Sequence, residues 1–390
     1  MIPKRLEEIT ITDLNALITE GRAEDRTIEY KLKLPSSAKS ERVPWLLKPI
    51  CSFANTDGGD LIFGVREKRG VPDVLEGVAV DNIDQVKLGL EHAIQNGIET
   101  QIRGVHIRDI KLDNGKYILV VRVPKSWIAP HRVKGNARFY ARNSAGTYEL
   151  DIPQIRQAFL LSDTLNQRIA EFRASRIANI VGDGAPVRLQ EGLRIILHLV
   201  PITAFASYQQ LAVQDYSDLY KSLLPATGDK FADFHLNFDG LVVYSGKGKN
   251  VSLAYIQLFR SGIIEFVRVY EAGDGEKYLP GWRYEDELLK NYNTGIDMLR
   301  KVRIDPPLIV FLTLANAKEY RLTLGRMEHF LRDDPVPFDR DVMLIPDLQV
   351  ESFDQRDIDV LRPMFDIVWN AGGYERSLNF DETNEPRQQL

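Results

Sequence analysis

The chain has 390 residues with 50 Lys and Arg against 55 Asp and Glu, a formal charge of −5, and is 44% hydrophobic. That length and balance fit a two-domain globular protein, and a single cysteine, Cys51, excludes an internal disulfide framework or a cysteine-rich zinc centre. The net charge argues against a nucleic-acid partner until it is divided: residues 101–150 hold 10 basic and 3 acidic residues, whereas residues 151–390 hold 27 and 35.

In chain order, Thr12–Glu20 reads as a helix capped by Thr10 or Thr12. Thr27–Leu34 alternates as a strand, with Glu29, Lys31 and Lys33 on one face and Ile28, Tyr30 and Leu32 on the other. Arg42–Ala54 has helical spacing, interrupted by Pro49. Asn55–Gly59 is a stop and turn, and Leu61–Val65 a buried strand. Asp81–Asn96 is helical, Asp113-Asn114-Gly115 turns a hairpin between Ile102–Leu112 and Lys116–Val123, and Arg138–Arg142 is a short strand.

A long helical stretch runs from Asp151 to Ile180, and Val181–Pro186 is a linker. Arg194–Val200, Leu241–Tyr244, Ser252–Phe259, Ile263–Tyr270 and Leu308–Leu314 are strand-like, with a hairpin turn at Ser245–Asn250. Tyr284–Val302 and Asp357–Ala371 are helical, and the polar tail from Glu375 reads as disordered. The fold class is α+β: a mixed sheet with flanking helices over residues 1–160, a helical connector and linker over 161–185, and a second α+β domain with a β-meander over 186–375, followed by a flexible tail, 376–390. The N-terminus lacks an apolar leader, and no run approaches the ~20 apolar residues of a membrane span, so a cytoplasmic location is expected.

The string Ser52-Phe53-Ala54-Asn55-Thr56-Asp57-Gly58-Gly59 ends a helix, turns on two glycines and enters a strand. Bare N–H groups in such a turn can hold a phosphate, making Asn55, Thr56, Gly58 and Gly59 a candidate phosphate turn. Upstream stand Glu24, Glu29 and Lys31; downstream stand Pro130-His131-Arg132 and Phe139-Tyr140-Ala141-Arg142. Together these resemble the Schlafen AlbA_2 domain, also called divergent AAA-4, over residues of about 10 to 160. The later domain resembles no family.

The resemblance implies nucleic-acid binding, RNA or DNA. It also implies a metal-dependent endonuclease site, acting on structured RNA such as tRNA, in which Glu24, Glu29 and Glu67 hold Mg²⁺ or Mn²⁺ and Lys31 stabilises charge. Arg66, where family members often carry an acid, departs from that pattern. A role in stress or antiviral defence follows by analogy alone. The basic segment offers Lys125, His131, Arg132, Lys134, Arg138, Tyr140 and Arg142 as nucleic-acid contacts, cations for phosphates and aromatics for bases.

A non-catalytic DNA-binding transcriptional regulator is the alternative. An ATP-binding protein is a third reading, which no P-loop supports, since Gly246-Lys247-Gly248-Lys249 is a basic turn. A homodimer is expected to supply a second lobe through Phe159, Leu160, Leu165, Ile169 and Phe172.

Overall fold

The computed structural model describes residues 1–36, 42–144, 146–205, 211–212, 220–223, 232–246, 250–273, 276–323 and 336–386. They form two compact units, Met1–Asn166 and Gln167–Leu390. The architecture is α+β in both.

Unit 1 opens with α1 (Ile11–Thr19), whose N-terminus is closed by the Asp13 carboxylate accepting from the Thr10 N–H and hydroxyl, both at 2.8 Å. The strands that follow are β1 (Ile28–Lys31), β2 (Gly59–Phe63), β3 (Val65–Lys68) and β4 (Val71–Leu75). Further on come β5 (Ile98–Glu99), β6 (His106–Lys111), β7 (Tyr117–Val123), β8 (Arg132–Val133), β9 (Arg138–Asn143) and β10 (Gly146–Glu149). One sheet has the order β1-β2-β7-β6, with β1 parallel to β2 and the rest antiparallel. A second runs β10-β9-β8-β5, and β3 and β4 pair as a hairpin that the sequence reading missed.

Alternation along β1 and β2 sends Ile28, Tyr30 and Ile62 to one core with Leu14 of α1, and Leu61 and Phe63 to the other. That other core holds Phe53 of α2 (Lys48–Ala54) and Ile94 of α3 (Ile83–Gly97). Pro49 does not break the helix before it. A π turn over Val43–Leu47 closes with the Lys48 N–H on the Val43 carbonyl, and Pro49 then lies in the first turn of α2, where its missing N–H is tolerated.

The helix α4 (Ile152–Val181) contains the boundary between the units. The residues expected to form one dimer face on it do not share a fate. Phe159 and Leu160 are exposed, Leu165 and Ile169 are buried, and Phe172 lies edge-on to His198, Phe205 and Phe259.

Unit 2 is built on an antiparallel sheet. Its strands are β11 (Leu193–Pro201), β12 (Asp233–Leu236), β13 (Gly240–Tyr244), β14 (Ala254–Phe259) and β15 (Ile264–Tyr270), then β16 (Tyr278–Pro280), β17 (Leu308–Ala315), β18 (Arg321–Thr323), β19 (Val342–Leu344) and β20 (Leu348–Val350). The order is β12-β13-β14-β15-β11-β17-β19, with β20 also on β17; β16 and β18 form a separate parallel pair. Ile195, Leu197, Leu258 and Phe266 on one face share a core with α5 (Gly281–Lys301) and α6 (Asp357–Ala371). On the other face lie Ile196, Tyr255 and Val267, with Ile180 of α4. There the fully buried Glu265 accepts from both Arg176 guanidinium arms, His198 Nε2 and the Tyr255 hydroxyl, each at 2.8 Å. The Ser245–Asn250 turn includes residues 247–249, which lie outside the described residues.

The polar tail is not free where it is described. Ser377 is fully buried, and Phe380 is buried with its ring stacked on Phe365 at 6.3 Å. Two apolar residues, Leu378 and Phe380, and a buried carboxylate that needs donors, Glu285, draw the segment in. Residues 387–390 of that tail lie outside the described residues.

Candidate nucleic-acid interface

The end of α2 and the two sheets are joined by the Asn55–Gly59 string. The Asn55 amide accepts from the His131 N–H at 2.7 Å and donates to the carbonyls of His131 and Tyr140, each at 2.9 Å. Thr56 Oγ donates to the Ser52 carbonyl and accepts from the Arg142 N–H at 2.9 Å. The N–H groups of Thr56 and Gly58 both reach the Phe53 carbonyl. Gly58 has φ +73°, and a Cβ on Gly59 would stand 2.3 Å from the Phe53 ring. Those two N–H groups, part of the phosphate turn expected from sequence, are engaged within the protein, where the string splices α2 to the sheets.

The acids take three different situations. Glu29 on β1 is buried and carries two cations, the Lys31 ammonium at 2.7 Å and the Arg142 guanidinium. Burial pushes its carboxyl up, and the Lys31 and Arg142 charges more than reverse this, leaving it below the usual carboxylate range. Arg142 also donates to the Asp25 carbonyl at 3.0 Å and to Thr147 Oγ at 3.1 Å, and lies 4.4 Å above the Phe53 ring. Glu24 accepts from the Tyr30 N–H at 2.8 Å. Its carboxyl is held above the usual range, chiefly by burial and then by the Glu29 and Glu67 charges. Glu67, exposed on β3, accepts from the Gly70 N–H of the β3–β4 turn. Arg66 turns away to Asp73 at 3.3 Å and Glu76 at 2.7 Å.

This donor set does not fit the Mg²⁺ or Mn²⁺ ion expected from sequence. Among the described residues no three His, Cys, Asp or Glu side chains converge to hold a metal. The Glu29 oxygens that would bind a cation already face a guanidinium and an ammonium.

The basic candidates divide by exposure. His131 is fully buried, its Nδ1 is 2.7 Å from the Thr100 carbonyl, and burial lowers its pKa, so it is a core residue. Tyr140 is buried, its hydroxyl accepting from Asn136 at 2.7 Å. Arg142 is buried against Glu29. These three are not surface contacts; each packs where β8 and β9 meet α2.

Lys125, Arg132, Lys134 and Arg138 do reach solvent. Arg132 and Arg138 make rim ion pairs with Glu99 at 2.6 Å and Glu149 at 2.9 Å. The Lys134 ammonium has no ion-pair partner among the described residues. It lies in the β8–β9 turn, where Ala137 adopts φ +58°. Lys125 Nζ lies 5.4 Å from the ring centre of Trp127 and 3.8 Å from Asp57.

Sequence reasoning missed the pair Asp60–Arg122. Asp60 on β2 is fully buried and takes Arg122 of β7 bidentately at 2.8 and 2.9 Å, and its second oxygen accepts from the Ile2 N–H at 2.7 Å. Asp60 follows the glycine pair directly, and a charge inside an apolar strand was the signal.

Residues 24–151 match the family model described as Schlafen, AlbA_2. Unit 1 carries a Schlafen AlbA_2 domain. That match supports a nucleic-acid-related function. The DIP2311 protein from Corynebacterium diphtheriae, known from a crystal structure, is 18% identical, with a TM-score of 0.26, over 36% of this chain and 30% of that chain. No curated protein matches the sequence. Among the described residues no helix is long and apolar enough to cross a membrane.

Proposed function

We propose that the AlbA_2 domain binds nucleic acid through the exposed basic rim formed by Lys125, Arg132, Lys134 and Arg138, without a resident metal ion, and that the protein is a non-catalytic nucleic-acid-binding regulator. One observation supports this above the others: the cations of the β8–β9 hairpin face solvent, while the acid that would anchor a catalytic metal is closed by Arg142. Arg and Lys at such positions neutralise phosphates and release counterions, which gives affinity without reading sequence. Rim pairs such as Arg138–Glu149 are worth little in water and open readily for a phosphate.

The test is a gel-shift series with tRNA, single-stranded RNA and duplex DNA, each with Mn²⁺ and with EDTA. Binding that persists in EDTA and leaves every substrate intact supports the regulator. Metal-dependent RNA cleavage that is lost in a Glu29→Gln protein shown to remain folded would instead establish the endoribonuclease. Absence of binding at low salt would sink both.

A further inference from the structure

The small sheet of unit 1 has two unlike faces. Alternation along β9 sends Tyr140 and Arg142 inward, toward the core around Phe53, and Phe139 and Ala141 to the opposite side. The register sets Arg132 of β8 directly beside Phe139, and Tyr148 of β10 directly beside Ala141, so these four share the outer face. Phe139 and Tyr148 are therefore diagonal neighbours across two strands, within reach of each other's rings, and both are only half-buried.

The part of α4 in unit 1 brings a third ring to this face. Its start is fixed by Asp151, whose carboxylate accepts from the Gln154 N–H at 2.8 Å, and by the Leu150 N–H, which donates to the Phe139 carbonyl at 2.9 Å. Two turns on, Phe159 stands edge-on to Phe139, with ring centres 6.4 Å apart and planes at 74°, and is 50% exposed. One turn later, Ser162 Oγ donates to the Trp127 carbonyl at 3.0 Å, which ties the loop of Lys125 and Trp127 to the same helix.

Cations stand beside the rings. Arg132 shares only an exposed ion pair with Glu99, which is worth little in water. Arg156, one turn before Phe159, and Lys134, two residues beyond Arg132, are exposed and have no ion-pair partner among the described residues. Asp163, one turn beyond Phe159, is exposed and unpaired as well, so the net field is small and the open rings decide what the face takes. A single strand offers base faces to stack and phosphates to neutralise, whereas a duplex hides its base faces in its own stack.

We infer that this face is a stacking platform for unpaired bases, so that unit 1 takes single-stranded nucleic acid in preference to duplex. Bases stack on Phe159, Phe139 and Tyr148, with phosphates toward Arg132, Lys134 and Arg156. The inference rests on the reading of unit 1 as a nucleic-acid-binding domain and names the form that it binds. Phe159 lies beyond the residues that match the family model.

The experiment is fluorescence anisotropy on the full chain in EDTA, with a labelled RNA and a labelled DNA of one sequence, each alone and annealed to its complement, alongside light scattering. At least one single strand should bind about tenfold or more tightly than its duplex. Phe159→Ala and Tyr148→Ala should each weaken single-strand binding about fivefold or more, leave duplex binding and the melting temperature unchanged, and be rescued by Phe159→Trp and Tyr148→Phe. Equal affinity for strand and duplex overturns the platform and leaves the basic rim standing, as does single-strand binding unchanged in both alanine variants while Lys134→Ala weakens both forms. A wild-type dimer that Phe159→Ala converts to monomer, with single-strand affinity unchanged, assigns the face to a second copy and overturns it too. If no strand or duplex binds at low salt, the reading of unit 1 itself falls, and the platform with it.

Discussion

Arg142 on β9 and Glu29 on β1 meet in a buried ion pair that ties the small sheet to the edge of the larger one. The pair is completed by Lys31 on the open side of Glu29 and by the Asp25 carbonyl beneath Arg142. The carboxylate expected from sequence to hold a metal ion serves here as an internal crosslink.

Removing one partner of a buried pair leaves the other uncompensated, which costs about 3–5 kcal/mol. Arg142→Ala should therefore lower the stability of unit 1 by that amount in urea denaturation. Arg142→Lys should fall between, because an ammonium cannot serve Glu29, Asp25 and Thr147 with the same fork. A stability change below 1 kcal/mol for Arg142→Ala would show that the pair is not closed.

Asn55 is the next expectation. Its amide makes one bond to the His131 N–H and two to the carbonyls of His131 and Tyr140. Asn55→Ala leaves those backbone groups to find new partners, at about 1–3 kcal/mol. Chemical denaturation should show that loss, with nucleic-acid affinity unchanged wherever the domain remains folded. Loss of affinity in a fully folded Asn55→Ala protein would point back to a phosphate turn.

Unit 2 carries a pH dependence of its own. Glu285 is buried, and burial raises its carboxyl to about 7 despite donors from Trp369, Ser377, Asn379 and Tyr284. The ordinary value is 4.5, so the folded protein holds a proton that the unfolded chain releases between pH 4.5 and 7. Its contribution is thus fully present below pH 4.5 and is lost as pH rises through 7, on the order of 3 kcal/mol. Thermal melts of wild type and Glu285→Gln from pH 5 to 8 check this. A flat wild-type profile in that interval contradicts the burial argument.

Much of this was legible in sequence where the physics is local. The Asn55–Gly59 string marks a helix stop, a turn and a strand because Gly58 needs positive φ and Gly59 must pass close to Phe53. Arg138 and Arg142 were not separable. They lie four residues apart on one strand face, yet the Arg138 side chain is 56% exposed and that of Arg142 2%. The difference is set by Glu29 and Phe53, about a hundred residues away in the chain. Tyr140 and His131 were drawn to the interface by their composition and are held in the core by Asn55. The tail was misjudged for a similar reason: its polar average conceals Phe380, which completes the packing around Phe365.

The basic rim makes its own prediction. Lys134→Ala and Arg138→Ala should each weaken nucleic-acid binding about equally for all sequences, and each should reduce the slope of log affinity against log salt by about 1. Circular dichroism should show both proteins folded, since both side chains are exposed. An effect confined to one sequence would mean that the hairpin reads bases.

The most direct test of metal-free binding by this rim is fluorescence anisotropy with one labelled RNA, run in EDTA and in Mn²⁺, for wild type and the Lys134→Ala/Arg138→Ala double variant. Wild type should show one affinity in both buffers and leave the RNA intact throughout, and the double variant should bind at least tenfold more weakly. Loss of wild-type binding in EDTA, or Mn²⁺-dependent cleavage that is lost in a Glu29→Gln protein shown to remain folded, would contradict metal-free binding.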